Sequence, residues 1–186
     1  MILLMRGSTA LSGNNGAGSD NSNRTSAQSA EAASLLKAAR LSLPQAAGAW
    51  LIISQAGGGL AGNIDGGLII TSEGKVAAGG PAKPGEFRLS CKAQLSADEL
   101  HKLDQTVLSA RPVAWKGRYI EPESPDGCCD QYSYMLELQR RRADGTVQVY
   151  TTSWYDGSAY LRPEDLASIH EAAMMIKNNA LSRCEH

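Results

Sequence analysis

From Tyr132 the chain alternates: Tyr132, Tyr134, Leu136 and Leu138 fall on one side, Ser133, Met135, Glu137 and Gln139 on the other. A period of two is the pattern of a strand with one buried face. Two of the four cysteines, Cys128 and Cys129, stand where this strand begins. After it, Ala143-Asp144-Gly145 reads as a turn into a partner strand over 146–154, in which Val147, Val149 and Thr151 alternate with Gln148, Tyr150 and Thr152.

Shorter signals flank this pair. Residues 50–54 are apolar and β-branched and predict a strand; residues 68–72 predict a second, with Glu73-Gly74 as a hairpin turn into Lys75-Val76. Residues 77–86 hold Gly79, Gly80, Pro81, Pro84 and Gly85, which predicts an exposed loop. The chain returns as a strand over 87–91, with Phe87, Leu89 and Cys91 on one face. Ser96-Ala-Asp-Glu99 is a capping box, and Leu100, Leu103, Val107 and Leu108 follow at helical spacing until Arg111-Pro112 stops the helix. A last helix starts at Pro163, with Glu164 and Asp165 suited to its dipole; Leu166, Ile169, Ala173 and Ile176 form its stripe, and Asn178-Asn179 ends it. The order β-β-β-β-α-β-β-α predicts an α+β fold. Its antiparallel sheet has about four to six strands, with two amphipathic helices packed on one face.

The chain has 186 residues, enough for one domain. Residues 1–45 are expected to be a disordered tail rich in Gly, Ser and Asn, because they carry too little apolar surface to offset their ordering entropy. Within it, 29–41 can form a short, loosely attached helix with Ala32, Leu35, Leu36 and Ala39 on one side. On this reading, removing the tail leaves stability almost unchanged. The domain spans 49–179, and 180–186 form a C-terminal tail. A net charge of −1 gives no case for nucleic acid, and Arg140-Arg141-Arg142 reads as a solvated hairpin end. No stretch is long and apolar enough to span a membrane. Met1-Ile-Leu-Leu-Met5 is too short for a complete signal peptide; it is either the remnant of one or without meaning.

The side chains that carry chemistry are scattered. His101, His170 and His186 lack any metal-binding or relay pattern, and no serine has the G-x-S-x-G setting. The glycines of 56–63 lack the Lys-Ser/Thr of a phosphate loop. Glu121, Glu123, Asp126 and Asp130 do not have the spacing of a calcium loop and read as solvated charge. Trp115, Tyr119, Trp154 and Tyr155 suit an ordinary core. The reading is a non-enzyme with no cofactor and no metal. Cys91, Cys128, Cys129 and Cys184 suit one or two disulfides in an oxidising compartment, periplasmic or secreted, with the cytoplasm as alternative. A zinc site from Cys128, Cys129, Cys184 and His186 is the competing reading, against which adjacent cysteines rarely serve one tetrahedral ion. Cys91 is expected to bridge to Cys128 or Cys129, leaving the other for Cys184, because adjacent cysteines seldom bond each other.

Taken together, Ile52-Ile-Ser-Gln-Ala-Gly-Gly-Gly-Leu-Ala-Gly62, Leu95-Ser-Ala-Asp-Glu-Leu100, Asp130-Gln-Tyr-Ser-Tyr134 and Leu161-Arg-Pro-Glu-Asp-Leu166 resemble the emfourin family. Emfourins are small bacterial protein inhibitors of protealysin and related thermolysin-like metallopeptidases. The resemblance runs from about Trp50 to Lys177. This chain departs from it by its tail, by 77–86 and by the cysteine pair. It implies inhibition of a secreted metallopeptidase by loop insertion into the cleft. The loops available are 56–63 and 92–96, with Gly57, Gly58, Gly59, Leu60 and Leu95 as the partner-binding residues. The alternative is a non-catalytic envelope or secreted interaction protein, in which Leu60 and Leu95 simply pack.

Overall fold

Four residues in a row, Trp50 to Ile53, have no solvent exposure, and the sheet is built outward from them. The computed structural model describes residues 32–58, 63–83, 86–123 and 131–184. Its strands are β1 (Trp50–Gly58), β2 (Asn63–Thr71), β3 (Lys75–Lys83), β4 (Glu86–Gln94), β5 (Arg118–Tyr119), β6 (Ser133–Arg141) and β7 (Val147–Tyr155). The helices are α1 (residues 32–39), α2 (Ala97–Ser109) and α3 (Glu164–Cys184). The sheet order is β4-β3-β2-β1-β6-β7-β5, which puts β1 at the centre. A central strand has no solvent face, so its alternating side chains must enter two different cores. Trp50 and Ile52 join one cluster, Leu51 and Ile53 the other.

The first cluster lies under α2 and α3. Leu103 and Val107 of α2, and Leu166, Ile169, Ala173 and Ile176 of α3, meet Leu68, Ile70, Leu136 and Leu138 from the sheet. The stripe expected of α3 is buried as read. The capping box forms as well: Glu99 N donates to the Ser96 hydroxyl at 3.3 Å, and Ser96 N to the Glu99 carboxylate at 2.9 Å. Leu108, expected on the buried face, is 60% exposed. Trp50 Nε1 donates to Asp104 at 2.7 Å, so even the polar atom of this core tryptophan is satisfied.

The α+β class stands, and several expectations are corrected. There are seven strands among the described residues, and they are not all antiparallel, because β5 pairs with β7 in parallel. The two expected helices, α2 and α3, do share one face, but α1 covers the opposite side. Ala32, Leu35, Ala39 and Leu43 pack there on Leu51, Ile53, Ile69, Ala77 and Met135. Ala32 and Ala39 are 1% exposed and Leu35 4%, so 32–45 belong to the domain; residues 1–31 lie outside the described ones. Residues 77–83 are strand rather than loop, with Ala77 and Ala78 wholly buried. Small side chains are needed there: a Cβ on Gly79 would run into the backbone of Arg88. Pro81 lies beyond the pairing of β2 with β3, which runs from Gly67↔Gly79 to Ile70↔Val76, so it interrupts no ladder there. The register shift between Ala78 and Gly79 also sends Leu89 and Cys91 to opposite cores, although the alternation had placed them together.

The last correction concerns the C-terminus and the cysteines. Helix α3 runs through Asn178-Asn179 to Cys184, and Ala180 is 3% exposed, so 180–184 are no tail. Cys184 is bonded to Cys91 across 93 residues, with Cα atoms 5.6 Å apart. The expected bridge from Cys91 to Cys128 or Cys129 is therefore excluded, since Cys91 is already used. Both partners lie outside the described residues. The disulfide also removes Cys184 from the zinc set considered above.

Candidate functional site

The residues singled out for partner binding come to lie at opposite ends of the sheet. Gly57 and Gly58 close β1, where Gly57 pairs with Ile64 on one side and Ser133 on the other. A register shift between Ala56 and Gly57 bends the strand there, and the Ser133 hydroxyl donates to Gly57 O at 2.9 Å. Gly59 and Leu60 lie outside the described residues. Leu95 sits at the far end, where its N–H donates to Gly74 O at 2.9 Å in the β2–β3 turn. Nine-residue strands separate the two ends by roughly 25 Å. Leu95 is 7% exposed and part of the α2–α3 core, so its side chain packs and is not offered to a partner.

The other end of the sheet, the hairpin end where β1 closes at Gly58, holds an unusual polar grouping. Tyr134 and Trp154 are direct cross-strand neighbours on β6 and β7, with rings stacked at 5.7 Å between centroids. His170 of α3 meets both edge to face, at 5.2 and 4.9 Å. Arg162, just before α3, lies over the Trp154 ring at 4.7 Å and points a guanidinium nitrogen at His170 Nδ1, 3.1 Å away. A guanidinium can only donate, so Nδ1 must be the acceptor and the ring proton sits on Nε2. That Nε2 is buried and has no hydrogen-bond partner. Burial, and then the charge of Arg162, push the His170 pKa down to about 4, which keeps the ring neutral. Burial also pushes the Tyr134 phenol up to about 12, helped by its hydrogen bond to Asp156.

Chemically this group is a clasp. The one lone pair of His170 is occupied by Arg162, so it cannot take a proton from a substrate. What it does is pin α3 to the sheet edge beside the turn 156–161. The same end is tied from below. Ser158, 2% exposed, donates to Tyr119 O at 2.8 Å and accepts from Tyr155 N at 3.0 Å. Arg118 reaches the Tyr155 hydroxyl at 3.0 Å. Sequence reading missed the clasp because its members come from three elements. Only the cross-strand register joins Tyr134 to Trp154, and His170 sits beside, not on, the apolar stripe.

Two members of the arginine run, Arg140 and Arg141, are structural, while Arg142 is exposed as expected. The Arg140 guanidinium reaches Val107 O and Ala110 O, carbonyls at the C-terminal end of α2. Arg141 donates to Pro44 O and Gly145 O, both at 3.0 Å. Asp165 accepts from Arg111 N at 2.7 Å and from Trp115 Nε1 at 3.1 Å, beside an open groove of about 560 Å³ between the end of α2 and the start of α3. Among the described residues no three His, Cys, Asp or Glu side chains are grouped to hold a metal ion, and no helix is long and apolar enough to cross a membrane. No protein-family model, curated protein or solved structure matches this chain.

Proposed function

We propose that the chain is a non-catalytic binding module that inhibits a thermolysin-like metallopeptidase, as the resemblance to emfourins implies, and that it works in an oxidising compartment, periplasmic or secreted. The observation that carries this reading is the way the end of β1 is held. Gly57 and Gly58 close the most deeply buried strand of the domain, just past a bulge, and Gly57 O is tied to β6 through Ser133. A strand end held this firmly loses little conformational entropy on binding. The Cys91–Cys184 bond favours the compartment.

Of the residues first considered, Gly57, Gly58, Gly59 and Leu60 remain the contact set, and Leu95 leaves it. The test is inhibition of thermolysin by the purified domain, comparing wild type with Leu60→Ala and Leu95→Ala. Leu60→Ala is expected to weaken inhibition, while Leu95→Ala lowers stability and leaves the folded protein inhibitory. If the wild type fails to inhibit thermolysin or any such peptidase of its source, the envelope interaction protein becomes the better reading.

A further inference from the structure

Of the aromatic side chains described, two are substantially exposed, and both stand at the hairpin end: Tyr132, 45% exposed, and Tyr160, 72%. Leu161, 37% exposed, lies beside Tyr160. They form part of one surface. The Tyr132 ring lies against Gly58, where an added Cβ would be 3.1 Å from it. Asp156 N donates to Tyr132 O at 3.0 Å. Gln131, Glu121 and Gly157 share the crevice that leads from there to the turn 156–161. Tyr160 stands on that turn, its hydroxyl on Glu121 with Glu123 close by.

The backbone under these side chains is fixed even though their rings are exposed. Ser158 ties the turn to β5 and to the end of β7, and Arg162 Nε closes on Ala159 O at 2.9 Å. Exposed tyrosines on a rigid backbone are what recognition surfaces use, because the ring offers a large contact area with few torsions to freeze. Among the described residues here, Glu121 and Glu123 lie by Tyr160 and the exposed Asp156 follows Tyr155, while Arg118 lies over the Tyr155 ring and Arg162 over Trp154. Acidic groups interleaved with tyrosine rings match a partner that brings guanidinium or ammonium groups, which pair with carboxylates and lie over aromatic faces.

We infer that Tyr132, Tyr160 and Leu161, with Glu121, Glu123 and Asp156, form a protein-docking surface beside the end of β1, and that it takes a basic, arginine-bearing segment of the partner. The inference rests on the proposed function for the choice of partner-facing end, and it does not require the partner to be a peptidase.

A fluorescein-labelled, capped Gly–Arg repeat peptide serves as probe, with the matching Gly–Gln peptide as control. Titration into the isotope-labelled full chain is expected to move the amide resonances of Tyr132, Gly157, Tyr160 and Leu161, with saturable binding that weakens as salt is raised. Tyr160→Ala, and separately Glu121→Gln with Glu123→Gln, should weaken binding on the order of tenfold. Equal binding of the two peptides, perturbations elsewhere on the molecule, or variants that bind like the wild type would each overturn it. Mapping on the wild type needs no variant to fold, and no peptidase enters the readout, so failure here is distinct from failure of the inhibitor reading.

Discussion

The two ends of the sheet treat their side chains in opposite ways. At the Leu95 end the polar groups are mostly spent within the fold. The leucine is buried, Ser96 and Glu99 cap each other, and Arg140 and Arg141 spend guanidinium nitrogens on backbone carbonyls, with Val147 exposed beside them. At the hairpin end the backbone is equally fixed, but Tyr132, Tyr160 and Leu161 stand in solvent. A terminus of a sheet that spends its polar groups on its own backbone contributes stability. A terminus that fixes its backbone and leaves aromatic groups exposed has the makings of an interface. The difference explains why a loop near a capped helix start, which is easy to notice in a sequence, is a poor guide to a binding surface.

The sharpest way to break this contrast is at the disulfide that anchors the end of α3 to β4. In the chain-entropy picture, a bond across 93 residues restricts the unfolded chain by about 4–5 kcal/mol. Urea unfolding of the Cys91→Ala, Cys184→Ala double variant should show a loss of that order, with the peptide-binding surface intact in the folded protein. The double variant isolates this bond from any reaction of Cys128 and Cys129 with reductant. A loss below about 1 kcal/mol would mean that α3 holds its place without the staple.

Next in size is a matched pair of truncations. Leu95→Ala removes a buried leucine and should cost about 3 kcal/mol in denaturant unfolding. Tyr160→Ala at the other end should stay within about 0.5 kcal/mol, because its ring is largely in solvent. Similar losses at the two sites would erase the distinction between a packed and an open end.

A smaller loss than that of Leu95→Ala is expected from pH dependence at the clasp. His170 holds its proton less well in the folded protein, with a pKa of about 4, than in an unfolded chain at the ordinary 6.5. The unfolded state therefore binds more protons in this window. Stability from the neutral ring is full above pH 6.5 and is lost as pH falls towards 4. Allowing for partial exposure of the ring, the loss is about 2 kcal/mol. His170→Phe keeps an aromatic ring and should flatten the slope of unfolding free energy against pH between those limits. An unchanged slope would place the acid sensitivity elsewhere.

What the sequence revealed follows from how local each signal is. The alternation expected from Tyr132, the Ser96–Glu99 box and the stripe from Leu166 to Ile176 are all set by neighbours a few residues away. The box and the stripe appear as read, and the alternation holds from Tyr134, with Tyr132 exposed and Met135 and Glu137 buried on the other face. Helix α1 was undervalued because its contact face is mostly alanine, and its worth comes from the two-sided burial of β1, which no local pattern states. Residues 77–80, Ala-Ala-Gly-Gly, look like a loop because they are small, yet they are small because β4 comes so close. Strand β5 is two residues of parallel pairing and has no period to detect. The disulfide partner of Cys91 was out of reach for the same reason, as connectivity is a property of the folded contact and not of spacing. At the candidate site, Gly57 and Gly58 were legible as a turn approach, whereas Tyr160 gave no signal at all.

The central position of β1 also dictates how the chain must assemble. Its pairing with β2, and that of β2 with β3 and β3 with β4, link residues close in sequence, so this meander can form as soon as it leaves the ribosome. The other side of β1 waits for β6, which is synthesised after α2 and β5. Until then the most apolar strand of the protein presents an unpaired edge, the kind of template on which chains join one another. Production of the protein will therefore be limited by how quickly β6 arrives, and fragments ending before it should aggregate rather than remain as a stable half-domain.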